Sequence, residues 1–158
     1  MIKIAIGSDH RGYALKAKIK AHLLSKSYDV VDVGTHSSVS CDYPLFAKEV
    51  ASRVSRKDVE LGVLICGSGI GMSIVANKYK GVRAALVHDK NEAKLSREHN
   101  HANILVLGEQ MDTKDILPLL DTWLATPVSY NSRHMKRIQL LEEIEGELYG
   151  NKSKLASE

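Results

Sequence analysis

The chain has 158 residues, 44% hydrophobic and 26% charged, with a formal charge of +3. That is the make-up of one soluble globular domain with a proper core. Only 5% of residues are aromatic, and Lys and Glu are interspersed, which excludes a base-stacking surface or a basic stripe for nucleic acid.

Five β-branched apolar runs, at 2–6, 28–33, 61–66, 82–87 and 103–107, predict strands in chain order. The first begins almost at Met1, so no secretory leader is expected. No apolar run approaches the length of a membrane span. Helical stripes fill the gaps: Leu15, Ile19, Leu23 and Leu24 in 11–26, then Leu45, Phe46, Val50 and Val54 in 43–55. Further helices are expected over 70–79, 90–99 and 113–125, the last capped by Asp112 or Thr113. This alternation predicts an α/β fold of three layers, α/β/α, with a five-stranded parallel Rossmann-like sheet covered on both faces. An extra C-terminal helix over 131–148 carries Ile138, Leu141, Ile144 and Leu148. Its apolar stripe has two possible seats, its own sheet or a neighbouring subunit. Residues 1–149 then form one domain, and 150–158 a polar, frayed tail. The cysteines, Cys41 and Cys66, make no CxxC or metal-ligand pattern. They point to a cytoplasmic chain with free thiols, although spacing alone leaves a disulfide between them open.

Ligands of open parallel sheets sit at the carboxyl ends of the strands. There the first strand delivers Gly7-Ser8-Asp9-His10, the second a loop ending Cys41-Asp42-Tyr43-Pro44, and the third Cys66-Gly67-Ser68-Gly69-Ile70-Gly71. The last of these is neither a dinucleotide GxGxxG nor a P-loop. A thiol beside a helix N-terminus has its thiolate favoured, and amides on the same turn can stabilise an oxyanion. The competing reading of Cys66 is a small hydrophobe at a buried strand end. Arg133 and Arg137 share one helix face, which suits a phosphate dianion and equally a solvated surface. His99 lies where the fourth helix ends, a place for an acid or for a simple cap. His22, His36, His88 and His134 look incidental, and no metal site is expected.

Together these stretches resemble the ribose-5-phosphate isomerase B family, which includes the galactose-6-phosphate isomerase subunits. The matching pieces are GSDHRGYALK at 7–16, DVGTHSS at 32–38, CDYP at 41–44, LICGSGIGMSIVANK at 64–78, GVRAAL at 81–86, LSREHNHANILVLG at 95–108 and the helix of Arg133 and Arg137. The resemblance implies an aldose–ketose isomerase without metal or cofactor, interconverting D-ribose 5-phosphate and D-ribulose 5-phosphate. It implies Cys66 as the base moving a proton between C2 and C1, and His99 as the acid that opens the sugar ring. Gly67, Ser68, Gly69, Ile70 and Gly71 would hold the enediolate, while Asp9, His10, Tyr43 and Asn100 line the substrate. Arg133 and Arg137 would bind the phosphate. It further implies a homodimer or homotetramer whose sites are shared, with His99, Asn100 and the arginines reaching a neighbour. Three positions depart from the common pattern: Gln110 where many relatives carry arginine, His101 where an acid is common, and Ser68 for threonine. The alternatives are a hexose 6-phosphate isomerase or a sugar-phosphate-binding protein without turnover; an intact base, acid and clamp weigh against the latter.

Overall fold

The computed structural model describes residues 1–155, with backbone alone at Thr113 and over 151–155. Its elements in chain order are β1 (Lys3–Ser8), α1 (Tyr13–Ser25), β2 (Asp29–Asp32), α2 (Tyr43–Ser55), β3 (Leu61–Cys66) and α3 (Ile70–Ala76). There follow β4 (Ala84–Leu86), α4 (Lys90–Glu98), β5 (Ile104–Gly108), α5 (Thr113–Ala125) and α6 (Ser132–Leu155). The five strands form one parallel sheet in the order β2-β1-β3-β5-β4. The expected three-layer architecture is therefore the observed one.

The central strands are apolar on both faces because both faces are covered. Ile4, Ile6, Val63, Ile65, Leu105 and Leu107 point into a core with Leu15, Ile19 and Leu23 of α1, Ala93 of α4 and Trp123 of α5. Ala5, Leu64, Cys66, Ile104 and Val106 point the other way, against Val50 and Val54 of α2 and Met72 of α3. Each of these large side chains contributes about 1.5–3 kcal/mol by leaving water.

Helix α3 and strand β4 are both shorter than predicted, for one reason. Asn77 ends α3 at Ala76 and reaches over to the edge strand. Its Nδ2 donates to Ser73 O (3.1 Å) and Ala84 O (2.9 Å), and its Oδ1 accepts from the Ala84 N–H (2.9 Å). The side chain thus pairs both backbone groups of Ala84, and β4 begins only there. In contrast α6 runs past Gly150 to Leu155; of the expected frayed tail, residues 156–158 lie outside the described residues. Asp112 caps α5, accepting from the Lys114 N–H at 3.1 Å. Among the described residues no helix is long and apolar enough to cross a membrane.

Candidate active site

The sheet changes winding direction between β1 and β3, the place where open α/β sheets carry ligands. Ser8 and Ile65 are register partners there, so the segments leaving both strands lie side by side. Cys66 is the last residue of β3 and is 5% exposed. The Gly69 N–H donates to its Sγ at 3.1 Å. Gly69 has φ +80, and a Cβ there would lie 2.5 Å from Leu86 Cδ1, so only glycine makes this turn. A Cβ on Gly71 would lie 2.5 Å from the Tyr43 ring, so this glycine lets the phenol lie over the turn. The Ile70 N–H donates to Ser68 Oγ (3.2 Å) and the Ser73 N–H to Gly69 O (3.1 Å). The Gly71 N–H precedes that first intrahelical bond and is left for another acceptor.

Neighbouring loops fix the rest of this rim. Asp9 Oδ1 accepts from the N–H groups of Arg11 (3.0 Å) and Gly12 (3.1 Å), opening the turn into α1. His10 Nδ1 accepts from the Cys41 N–H at 3.2 Å; the neutral ring then carries its proton on Nε2. Cys41 and Cys66 are both free thiols. The loop that carries Cys41 to Tyr43 is tied down by Asp32. This carboxylate takes Lys16 Nζ at 2.5 Å, Lys20 Nζ at 3.2 Å and the Gly34 N–H at 3.0 Å. Burial works to raise the Asp32 carboxyl, but these donors outweigh it and hold the group below its ordinary 3.8. Arg11, which nothing in the sequence singled out, pairs with Glu109 at 3.3 Å and lies against Gly67.

The other expected residues lie toward the opposite, amino-terminal ends of the strands. His99 caps α4, its N–H donating to Leu95 O at 2.9 Å, and the chain then enters β5 at Ile104. Ile104 pairs with Gly62 at the start of β3, whereas Cys66 pairs with Gly108. Four strand steps, about 13 Å, separate those two levels. Asn100 lines a cavity of about 320 Å³ with Arg83, Leu141 and Glu145. Arg133 and Arg137 are exposed on α6 and make no ion pair among the described residues. The chain therefore brings Cys66, its glycine turn, Asp9, His10 and Tyr43 together, and gathers His99, Asn100, Arg133 and Arg137 elsewhere.

His134, read as incidental, is 5% exposed and packs against the His99 ring, centroids 4.2 Å apart with the planes tilted by 33°. Its only signal in the sequence is position: four residues before Ile138, it occupies the apolar stripe of α6. His101 takes a positive φ of 51 and bonds Ser129 O through Nε2 at 2.7 Å. Large apolar side chains are exposed beside the Cys66 turn and along α6. Ile70 and Ile74 are 55% and 57% exposed beside the Cys66 turn, and Ile144 and Leu148 of α6 are 53% and 63% exposed.

Residues 4–141 match the family model described as Ribose/Galactose Isomerase. Ribose-5-phosphate isomerase B of Escherichia coli (strain K12) is 41% identical over 146 residues, covering 92% of this chain and 97% of that protein. Ribose-5-P isomerase B of Listeria innocua is 40% identical over 145 residues, covering 91% and 97%. Among solved structures, Clostridium thermocellum ribose-5-phosphate isomerase B superposes with a TM-score of 0.89 at 44% identity, covering 93% of this chain and 99% of that one. The Mycoplasma genitalium ribose-5-phosphate isomerase B with bound ribulose-5-phosphate gives 0.87 at 40% identity, covering 92% and 97%.

Proposed function

The chain belongs to the ribose/galactose isomerase family, and from that premise we propose that it interconverts D-ribose 5-phosphate and D-ribulose 5-phosphate as a cytoplasmic homo-oligomer. The names of its relatives favour the pentose over a hexose 6-phosphate. The observation that carries the chemistry is the buried Cys66 thiol at the end of β3, with the Gly69 amide aimed at its sulfur.

Isomerisation begins on the closed sugar. His99 gives a proton to the ring oxygen while the bond from C1 to that oxygen breaks, and the C1 hydroxyl proton leaves to water. In the open aldehyde, Cys66 as thiolate removes the C2 proton and the electron pair moves toward the carbonyl oxygen, forming an enediolate. The turn supplies amides to this charge, the Gly71 N–H among them. The C2 hydroxyl proton passes to the C1 oxygen, the proton on sulfur returns to C1, and the carbonyl is left at C2 as the ketose. A phosphate dianion beside the sulfur would oppose thiolate formation. Arg133 and Arg137, on a different element, hold it at the far end of the substrate and let its binding energy place C2 against Cys66.

Since His99 lies about one strand length from Cys66 in the same chain, and the arginines share the surroundings of His134 beside it, the working site takes all three from a second copy. The apolar side chains of α6 and those around Ile70 and Ile74 support this docking, since exposed patches of this kind are typical of association surfaces.

The deciding experiment compares two substrates. Ribulose 5-phosphate is an open-chain ketose and needs no ring opening. Cys66→Ala is expected to abolish consumption of both sugars. His99→Ala should lower turnover of ribose 5-phosphate by about a hundredfold, as for loss of a general acid, and spare ribulose 5-phosphate. Turnover by Cys66→Ala near wild type would overturn the mechanism.

A further inference from the structure

His134 enters the first turn of α6, and His99 caps α4. The two segments are pinned together: the Ser129 N–H donates to Glu98 O at 3.1 Å, and His101 Nε2 bonds Ser129 O at 2.7 Å. The imidazoles meet at a centroid distance of 4.2 Å with 33° between their planes. His134 is 5% exposed, and neither of its ring nitrogens has a hydrogen-bond partner among the described residues. Such a ring contributes a face rather than a donor. Three further charged groups reach it: Glu98 from α4, and Arg133 and Arg137 from α6. Burial, then His99 and Arg133, hold His134 below its ordinary 6.5, which favours its neutral ring.

We propose that His134 is a positioning residue for His99: its ring face backs the His99 imidazole, fixes its plane, and stabilises the cation that delivers a proton to the sugar ring oxygen. The attraction of a cation to an aromatic face is the physical basis. A ring pinned on one side also loses the rotamers that would turn its nitrogen away from the substrate. This rests on the reading of His99 as the ring-opening acid, which His99→Ala tests separately.

The experiment measures kcat and KM of His134→Ala and His134→Phe with each pentose phosphate, beside His99→Ala. Phenylalanine keeps a ring face and removes both nitrogens. His134→Ala is expected to lower kcat for ribose 5-phosphate by about tenfold, part of the hundredfold or more that a general acid supplies. Its KM should stay unchanged and its use of ribulose 5-phosphate should be retained, which also shows that the variant is folded. His134→Phe should restore most of the lost kcat. The proposal is overturned if His134→Ala keeps full kcat on ribose 5-phosphate while His99→Ala loses it. It is overturned equally if His134→Phe is as impaired as His134→Ala, because the nitrogens rather than the face would then matter. An unimpaired His99→Ala would instead remove the acid assignment itself.

Discussion

At the scale of residues, the proposed chemistry depends on what surrounds one sulfur and one pair of cations. Cys66 lies at a strand end whose preceding residues are all buried, so its Sγ has a fixed position relative to the Gly69 amide. The thiol and the sharp turn were both legible in the stretch from Cys66 to Gly71. Their spacing left open whether the sulfur was core or chemistry, since a buried strand end suits both. His134 was not legible, because its neighbour comes from a different helix and only packing brings the two rings together. Arg137 is the clearest residue-scale test of substrate binding. It is exposed and makes no ion pair among the described residues, so Arg137→Ala removes little from the fold. Loss of a charge-assisted bond to phosphate is worth about 1.5–3 kcal/mol, so KM for ribose 5-phosphate should rise by about tenfold or more. An unchanged KM in steady-state kinetics removes Arg137 from the phosphate site.

Elements carry these residues into place, and one buried ion pair decides where a loop goes. Lys16 of α1 is 3% exposed at its side chain and Asp32 ends β2 at 13%. Asp32 also holds the Gly34 N–H, and the Ser8 N–H in turn donates to Gly34 O at 2.8 Å. The loop to Tyr43 therefore starts from a point clamped to the end of β1. Replacing Asp32 with alanine strands a buried ammonium; breaking such a pair costs about 3 kcal/mol or more. Lys20, half exposed, is hydrated either way. Denaturant unfolding at neutral pH should report that loss, and wild-type stability in Asp32→Ala would contradict it. The pH dependence has a fixed sign. The folded-state carboxyl titrates below its ordinary 3.8, so its stabilisation is complete above that value. It is lost only as pH falls through the lower folded value. Strand and helix periodicity made most elements readable in the sequence. The ends of α3 and β4 were not, since Asn77 links them through bonds to Ala84 that no local pattern encodes.

At the scale of the whole molecule, the topology separates the parts of the site. Parallel strands put Cys66 at their carboxyl ends, and the return of α4 puts His99 toward their amino ends. The alternation of elements in the sequence already implies that separation, whereas the partner that closes it was suggested only by the family resemblance and by a spare terminal helix. Helix α6, with Ile144 and Leu148 outward, is the element that would meet that partner. The most direct test mixes two disabled chains. Cys66→Ala and His99→Ala are co-expressed, and the mixed oligomers are assayed on ribose 5-phosphate. With sites shared across a two-fold axis, each mixed dimer holds one doubly altered site and one intact site. Random pairing then restores roughly a quarter of wild-type activity. Activity no higher than the average of the two separate variants would contradict a shared site and place base and acid in one chain.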